Sequence, residues 1–273
     1  MGVESFTFSA TGMSCAVPDV APPAHDSGGG KSDGGNDDDA RRMTRTIFHD
    51  IDFTVDGGEI VDLIGPSGSG KSSLLTAFAR LNPHASGTLV LAGRDSGEFT
   101  PQQWRREVAY LPQKPILPGD TVADAIRLPW TLAVRGDEDG TSNGARGLSR
   151  LFRSNDARAR ASLPDTRIRE TLDAMGCGDI DLMRHPHDLS GGQAARVSLA
   201  RTLLTNPKVL LADEVDAGLD DDNAEKVASI MAQAAAGGMA IVRIRHRPPD
   251  GRAHRIATLA DGRLTMRVAE ESA

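Results

Sequence analysis

Residues 65–72 read Gly-Pro-Ser-Gly-Ser-Gly-Lys-Ser and fit the spacing G-x-x-x-x-G-K-[ST]. This spacing dictates a loop built around an anion. Glycines let the backbone curl until several N–H groups converge on one point. The apolar run Glu59-Ile60-Val61-Asp62-Leu63-Ile64 in front of it reads as a short buried strand. A helix is expected from about Lys71 to Arg80, with its positive N-terminal end turned to the anion. Lys71 is expected to reach the terminal phosphates of a nucleotide, and Ser72 to offer its hydroxyl to Mg²⁺. Gly65, Pro66, Ser67, Gly68, Ser69, Gly70 and Ser73 complete the phosphate-binding set. Residues 28–32 also end in Gly-Lys-Ser, but position 25 is His and no strand precedes them, so they read as linker.

A second apolar run, Val209-Leu210-Leu211-Ala212, delivers two carboxylates, Asp213 and Glu214. In phosphoryl transfer one carboxylate holds Mg²⁺ through its water shell and another polarises the attacking water. Asp213 takes the metal role here and Glu214 the catalytic one.

The rest of the chain supports an α/β fold. Residues 3–10 and 47–55 alternate in polarity and read as partner strands, and Asp56-Gly57-Gly58 marks a turn. Further strands are expected at 87–93, 106–111, 208–212 and 239–244. Helices are expected at about 120–134, interrupted by Pro129, and at about 165–175, 193–204 and 222–236. Strands alternating with helices imply a parallel core. Residues 17–40 are rich in Gly, Asp, Pro and Ser and bury too little to offset chain entropy, so they read as a disordered acidic insertion. Residues 135–163 read as a second, mobile insertion.

Charge and composition remove several classes. The net charge is −7, and six Asp against one Lys in 17–40 supply −5 of it. The remainder is near neutral, which argues against a basic nucleic-acid face, so no nucleic-acid partner is expected. No run of eighteen apolar residues reads as a membrane span. The start lacks a secretory signal pattern. Two distant cysteines, Cys15 and Cys177, fit a reducing compartment and show no metal spacing. A membrane function would therefore need a partner to supply the membrane part.

Leu189-Ser190-Gly191-Gly192-Gln193 stands just before a helix and upstream of Asp213. This LSGGQ segment, in that order after the phosphate loop, resembles the signature of ABC ATPases. The resemblance covers roughly residues 47–265. It implies a P-loop NTPase (RecA-like) core with an N-terminal antiparallel β subdomain and an inserted α-helical subdomain. One domain, 1–273, would divide into a core at 41–112 and 195–273 and a helical, signature-bearing part at 113–194. Gln113 resembles the glutamine that ligates Mg²⁺ and senses the partner. Ala217-Gly218-Leu219-Asp220 resembles the family's D-loop, with Asp220 kept and Ala at the usual Ser position. His246 resembles the switch histidine that contacts the γ-phosphate.

The same resemblance implies ATP and Mg²⁺ as cofactors. It implies a head-to-tail homodimer in which Ser190, Gly191, Gly192 and Gln193 of one copy close over the phosphate loop of the other. It also implies an integral membrane permease as partner and a place on the cytoplasmic face of the membrane. The run Thr121-Val122 to Pro129-Trp130 resembles a small bacterial group of the family associated with metal, notably iron, export, the FetA type. A non-transport ABC ATPase acting on nucleic acid or ribosome is the alternative. A P-loop kinase or GTPase is excluded by the LSGGQ segment. The family usually carries an aromatic residue about two dozen positions before the phosphate loop, to stack on adenine. Counting back lands near Arg42 instead, with Phe8 and Phe48 as the available substitutes.

Overall fold

The computed structural model describes residues 5–18, 44–132 and 157–269. Strand β1 (Thr7–Pro18) pairs antiparallel with β2 (Thr44–Asp56) and with β4 (Ala85–Leu91), and β5 (Arg94–Asp95) closes a four-stranded sheet in the order β2-β1-β4-β5. The second sheet has six strands. Its order is β10 (Arg263–Val268), β9 (Arg255–Ala260), β3 (Ile60–Ile64), β8 (Ala240–Ile244), β7 (Val209–Asp213) and β6 (Val108–Leu111). Every neighbouring pair from β9 to β6 is parallel, and only the β9–β10 hairpin is antiparallel. Strands β7 and β8 are buried at every residue, as the mostly apolar strands of a sheet covered on both faces must be, and Asp213 and Arg243 are the charged exceptions.

Helix α1 (Lys71–Phe78) lies between the two sheets, with Leu74, Leu75 and Phe78 fully buried. Around them pack Phe8, Phe53 and Trp104, and the Trp104 indole N–H donates to the Phe78 carbonyl. The opposite face of the six-stranded sheet carries α3 (Val122–Thr131), α4 (Asp165–Ala174), α5 (Gly191–Leu204) and α6 (Asp221–Ala236) over a second apolar cluster. This is the α/β architecture expected, an antiparallel N-terminal sheet beside a parallel core.

Several elements differ from the sequence reading. Strand β1 runs to Pro18, so Val17 and Pro18 belong to the sheet, paired with Arg45 and Thr44, rather than to the acidic insertion. Residues 19–43 of that insertion lie outside the described residues. So do 133–156 of the second insertion, but 157–162 are helical and Ala159 and Leu163 are buried. Residues 106–107 end a helix, α2 (Pro101–Glu107), instead of opening a strand. Thr100 caps it and Gln103 returns the bond, with Pro101 at the first helical position. Pro129 does not interrupt α3, which ends two residues later. The β9–β10 hairpin was not anticipated. Its Asp261-Gly262 turn, with both residues at positive φ, is the signal that marks it.

Candidate nucleotide-hydrolysis site

In open parallel sheets ligands gather outside the carboxyl ends of the strands. Here β3 leads into the loop at Gly65, β7 ends on Asp213 with Glu214 next, β8 leads to His246, and β6 leads to Gln113. Four adjacent parallel strands thus bring four separated segments to one edge.

The phosphate loop is shaped by its glycines. Gly65, Gly68 and Gly70 have φ of 148°, 77° and 97°. A Cβ on Gly65 would lie 2.1 Å from the Leu259 carbonyl oxygen, so the loop can pass the β9 backbone only without a side chain. Gly70 precedes α1 and no side chain caps that helix, which leaves its first N–H groups open to an anion. The buried Ser69 hydroxyl has no hydrogen-bond partner. Lys71 is buried, and its ammonium donates to the carbonyls of Gly65 and Pro66, each at 2.9 Å. Ser72 at the helix start is exposed. An uncapped helix, an orphaned hydroxyl and an ammonium resting on loop carbonyls fit a polyphosphate.

Asp213 is buried at the end of β7, and Tyr110 on β6 donates to its Oδ2 at 2.8 Å. Burial, and then this bond to a carboxylate, push the Tyr110 hydroxyl pKa well up. Glu214 follows in the left-handed region at φ 49°, a conformation that costs a non-glycine residue on the order of 1–3 kcal/mol. Its two oxygens are held from opposite sides. His246 Nε2 lies 2.7 Å from Oε1, and Gln113 Nε2 donates to Oε2 at 2.6 Å. The carboxylates are too few for an all-protein metal cage, and no cluster of three or more acidic, His or Cys side chains stands ready for a metal among the described residues. That sparse donor set suits Mg²⁺, which keeps several waters and takes one or two protein carboxylates plus substrate phosphates.

The signature segment stands apart from this cluster. Ser190 caps α5, accepting from Gln193 N at 3.2 Å, while Gln193 Oε1 accepts from Ser190 N at 3.0 Å. Gly191 has open space where a side chain would be, and Gly192 packs on Leu219. Asp220 caps α6 through Asn223, whose backbone N–H and side chain hold its carboxyl pKa down. Among the described residues, no hydrogen bond or ion pair ties residues 190–193 or Asp220 to Lys71, Asp213 or Glu214. Phe8 and Phe48 are fully buried in the core, and Phe8 packs on Phe78 and Trp104, so neither offers a face for adenine. Arg42 lies outside the described residues.

Sequence reasoning missed three residues of this edge: Tyr110, Asp216 and Arg245. Two arginines, 243 in β8 and 245 just past its end, beside an apolar run were the available signal, since a buried charge requires a partner. Arg243 pairs with Asp62 at 2.6 Å and Asp250 at 2.7 Å. Arg245 pairs with Asp216 at 3.2 Å and Asp250 at 2.5 Å.

A parallel sheet with a phosphate loop, an acidic strand end and a facing histidine on one edge defines a P-loop nucleoside triphosphatase. Comparison with known proteins narrows the class. Residues 48–217 match the family model described as ABC transporter. The chain is 35% identical over 181 residues to a probable iron export ATP-binding protein, FetA, of Escherichia coli K12, covering 66% of this chain and 69% of that one. It is 35% identical over 184 residues to the methionine import ATP-binding protein MetN 1 of Pseudomonas putida, covering 66% of this chain and 48% of that subunit, so it spans about half of that relative. A solved bacterial Atm1-family ABC exporter with ATP bound superposes with a TM-score of 0.66 over 97% of this chain and 38% of that one. At 23% identity this supports the fold alone. The chain belongs to the ABC transporter family and is an ATP-binding ATPase domain of that class.

Proposed function

We propose that this chain is the ATP-hydrolysing subunit of a membrane transporter, acting with Mg²⁺, as a head-to-tail pair, on a separate permease at the cytoplasmic face. The observation that carries the reading is the convergence of Lys71, Asp213, Glu214, Gln113 and His246 at one sheet edge. No helix among the described residues is long and apolar enough to cross a membrane.

The chain's own groups divide the work. Lys71 exchanges its Gly65 and Pro66 carbonyls for β- and γ-phosphate oxygens, and the α1 N–H groups add a fixed positive end. Ser72, Asp213 and Gln113 hold the Mg²⁺ side of the nucleotide. Mg²⁺, when bound, neutralises charge on the phosphate oxygens. Glu214 accepts the proton of the attacking water, which needs an oxygen freed from His246 or Gln113. His246 then turns to the γ-phosphate. The open Ser190-Gly191-Gly192 start of α5 suits contact with the nucleotide of a second copy, as a helix N-terminus free to meet an anion does. The core at 41–112 and 195–273 binds nucleotide, and 113–194 forms the helical part that meets the permease. Likeness to an iron export subunit makes metal, notably iron, the proposed cargo.

The test is hydrolysis of Mg-ATP by the chain with and without Lys71, together with the identity of the protein that co-purifies with it. Hydrolysis lost in Lys71→Ala and a multi-span permease in the purified complex are expected. Undiminished hydrolysis in that variant refutes the site.

A further inference from the structure

Strand β8 makes its last ladder pairings at Ile244, with Leu63 on one side and Asp213 on the other. His246 lies two residues beyond, where no sheet hydrogen bond fixes the backbone. The same is true of the turn after Glu214. Just past the two strands' ends, however, the side chains take over. Arg245 pairs with Asp216 at 3.2 Å, with both side chains largely buried, at 8% and 12% exposure. Arg245 is braced from behind by Asp250 at 2.5 Å. On the other flank of His246, Arg247 donates to the Leu219 carbonyl and pairs with exposed Asp221. His246 is thus suspended between two arginines that both bind the turn carrying Glu214 to Asp220.

We infer that Arg245, clasped by Asp216, is a positioning residue that sets the separation of His246 from Glu214. Alternation along β8 gives the reason. Arg243 and Arg245 point to the α6 side, and Val242 and Ile244 to the α1 side. A rigid Arg245 therefore holds the next residue toward the phosphate loop. Because the clasp also fixes the 216–220 turn, a partner pressing on Asp220 would be felt at His246. The inference rests on the proposed hydrolysis site, of which it names an additional part.

Arg243 supplies the control. It is as buried, shares Asp250 and sits two residues away, yet its backbone is fixed by ladder bonds on both sides. Steady-state Mg-ATP hydrolysis by the full chain is measured for Arg245→Lys, Asp216→Asn and Arg243→Lys, with melting temperatures alongside. Both Arg245 contacts are charge pairs outside hydrogen-bond geometry, so lysine keeps the charge but loses the shape with which the guanidinium bridges Asp216 and Asp250. Arg245→Lys and Asp216→Asn are expected to lower kcat roughly 10- to 100-fold with KM for ATP unchanged, as misplacement of a reacting group by about 1 Å does. Arg243→Lys is expected to lose melting temperature but keep kcat. Equal kcat for Arg245→Lys and Arg243→Lys, or a change confined to KM, overturns the inference. Should Arg245→Lys fail to fold, Asp216→Asn against Arg243→Lys decides in the same way. Hydrolysis surviving in Lys71→Ala, run beside them, overturns the site itself rather than the clasp alone.

Discussion

Glu214 and His246 lie 2.7 Å apart across the mouth of the phosphate loop, although 32 residues separate them in the chain. Adjacent parallel strands make the meeting inevitable: Asp213 and Ile244 are ladder partners, and each functional residue follows just after. With Gln113 on its other oxygen, Glu214 is held on both sides before any substrate arrives.

Glu214→Gln keeps the size of the side chain but turns one acceptor oxygen into a donor and removes the proposed proton acceptor. The variant is expected to bind ATP while kcat falls at least about 100-fold, the usual scale for a lost general base. Nucleotide binding measured by fluorescence, with phosphate release measured in parallel, checks it. Size-exclusion chromatography with ATP should then find a long-lived dimer.

Tyr110→Phe removes the one side-chain donor to Asp213 among the described residues. A metal-ligating carboxylate that loses such support typically weakens its metal about 10-fold or more. The Mg²⁺ concentration needed for half-maximal hydrolysis should rise by about that factor, with little change at saturating Mg²⁺. A titration of Mg²⁺ at fixed ATP reads both limits. An unchanged midpoint would show that the phenol merely fills space beside Asp213.

The candidate motifs were legible because they are written in short contiguous runs: Gly65 to Ser72 and Asp213-Glu214 at this edge, and Leu189 to Gln193 apart from it. Backbone geometry forces those residue types on any sequence that performs the task. The supports were not legible, because each depends on a partner far off in sequence. Tyr110 meets Asp213 only once β6 and β7 pair, and Arg245 meets Asp216 only once β8 joins them. Boundaries failed where two local signals competed. Val17 and Pro18 read as linker because an Asp- and Gly-rich stretch follows, yet pairing with Thr44 and Arg45 draws them into β1. The capping box at Thr100 and Gln103 was present in the sequence and passed unread.

Gly65→Ala should be far more damaging than its size change implies. The new Cβ would lie 2.1 Å from the backbone oxygen of Leu259, which cannot swing aside, at a φ that side chains rarely adopt. Strain of this kind costs at least about 1–3 kcal/mol before the clash is counted. Both the urea midpoint and ATP binding should fall. Gly68→Ala, with open space around it but φ at 77°, should carry the backbone strain without the clash and so lose less.

Pro18 and Thr44 are direct partners at the end of the β1–β2 pair, so a tight turn can join them. Replacing residues 19–43 by an Asn-Gly turn is expected to leave the melting temperature within a few degrees of the parent, since a two-residue hairpin of that type matches strand twist. Removing Val17 and Pro18 as well should lower it, because two sheet pairings are lost. A circular dichroism melt of the two deletions separates them.

Asp250 links acid stability to the arginine cluster. Burial works against its carboxylate, but the Arg243 hydrogen bond and charge outweigh burial and hold the pKa down from 3.8 to about 2. A carboxyl with a lowered folded pKa stabilises the fold above its unfolded pKa, and that contribution disappears as pH falls through the folded value. The stabilisation, on the order of 2 kcal/mol, should therefore be complete above about pH 5, largely lost by about pH 2 and gone by about pH 1. Asp250→Asn removes the titration. The gap in urea midpoint between parent and variant should be widest near neutral pH and close between about pH 4 and pH 2. A gap that stays constant across that window would show that Arg243 and Arg245 do not draw their stability from the ionised Asp250.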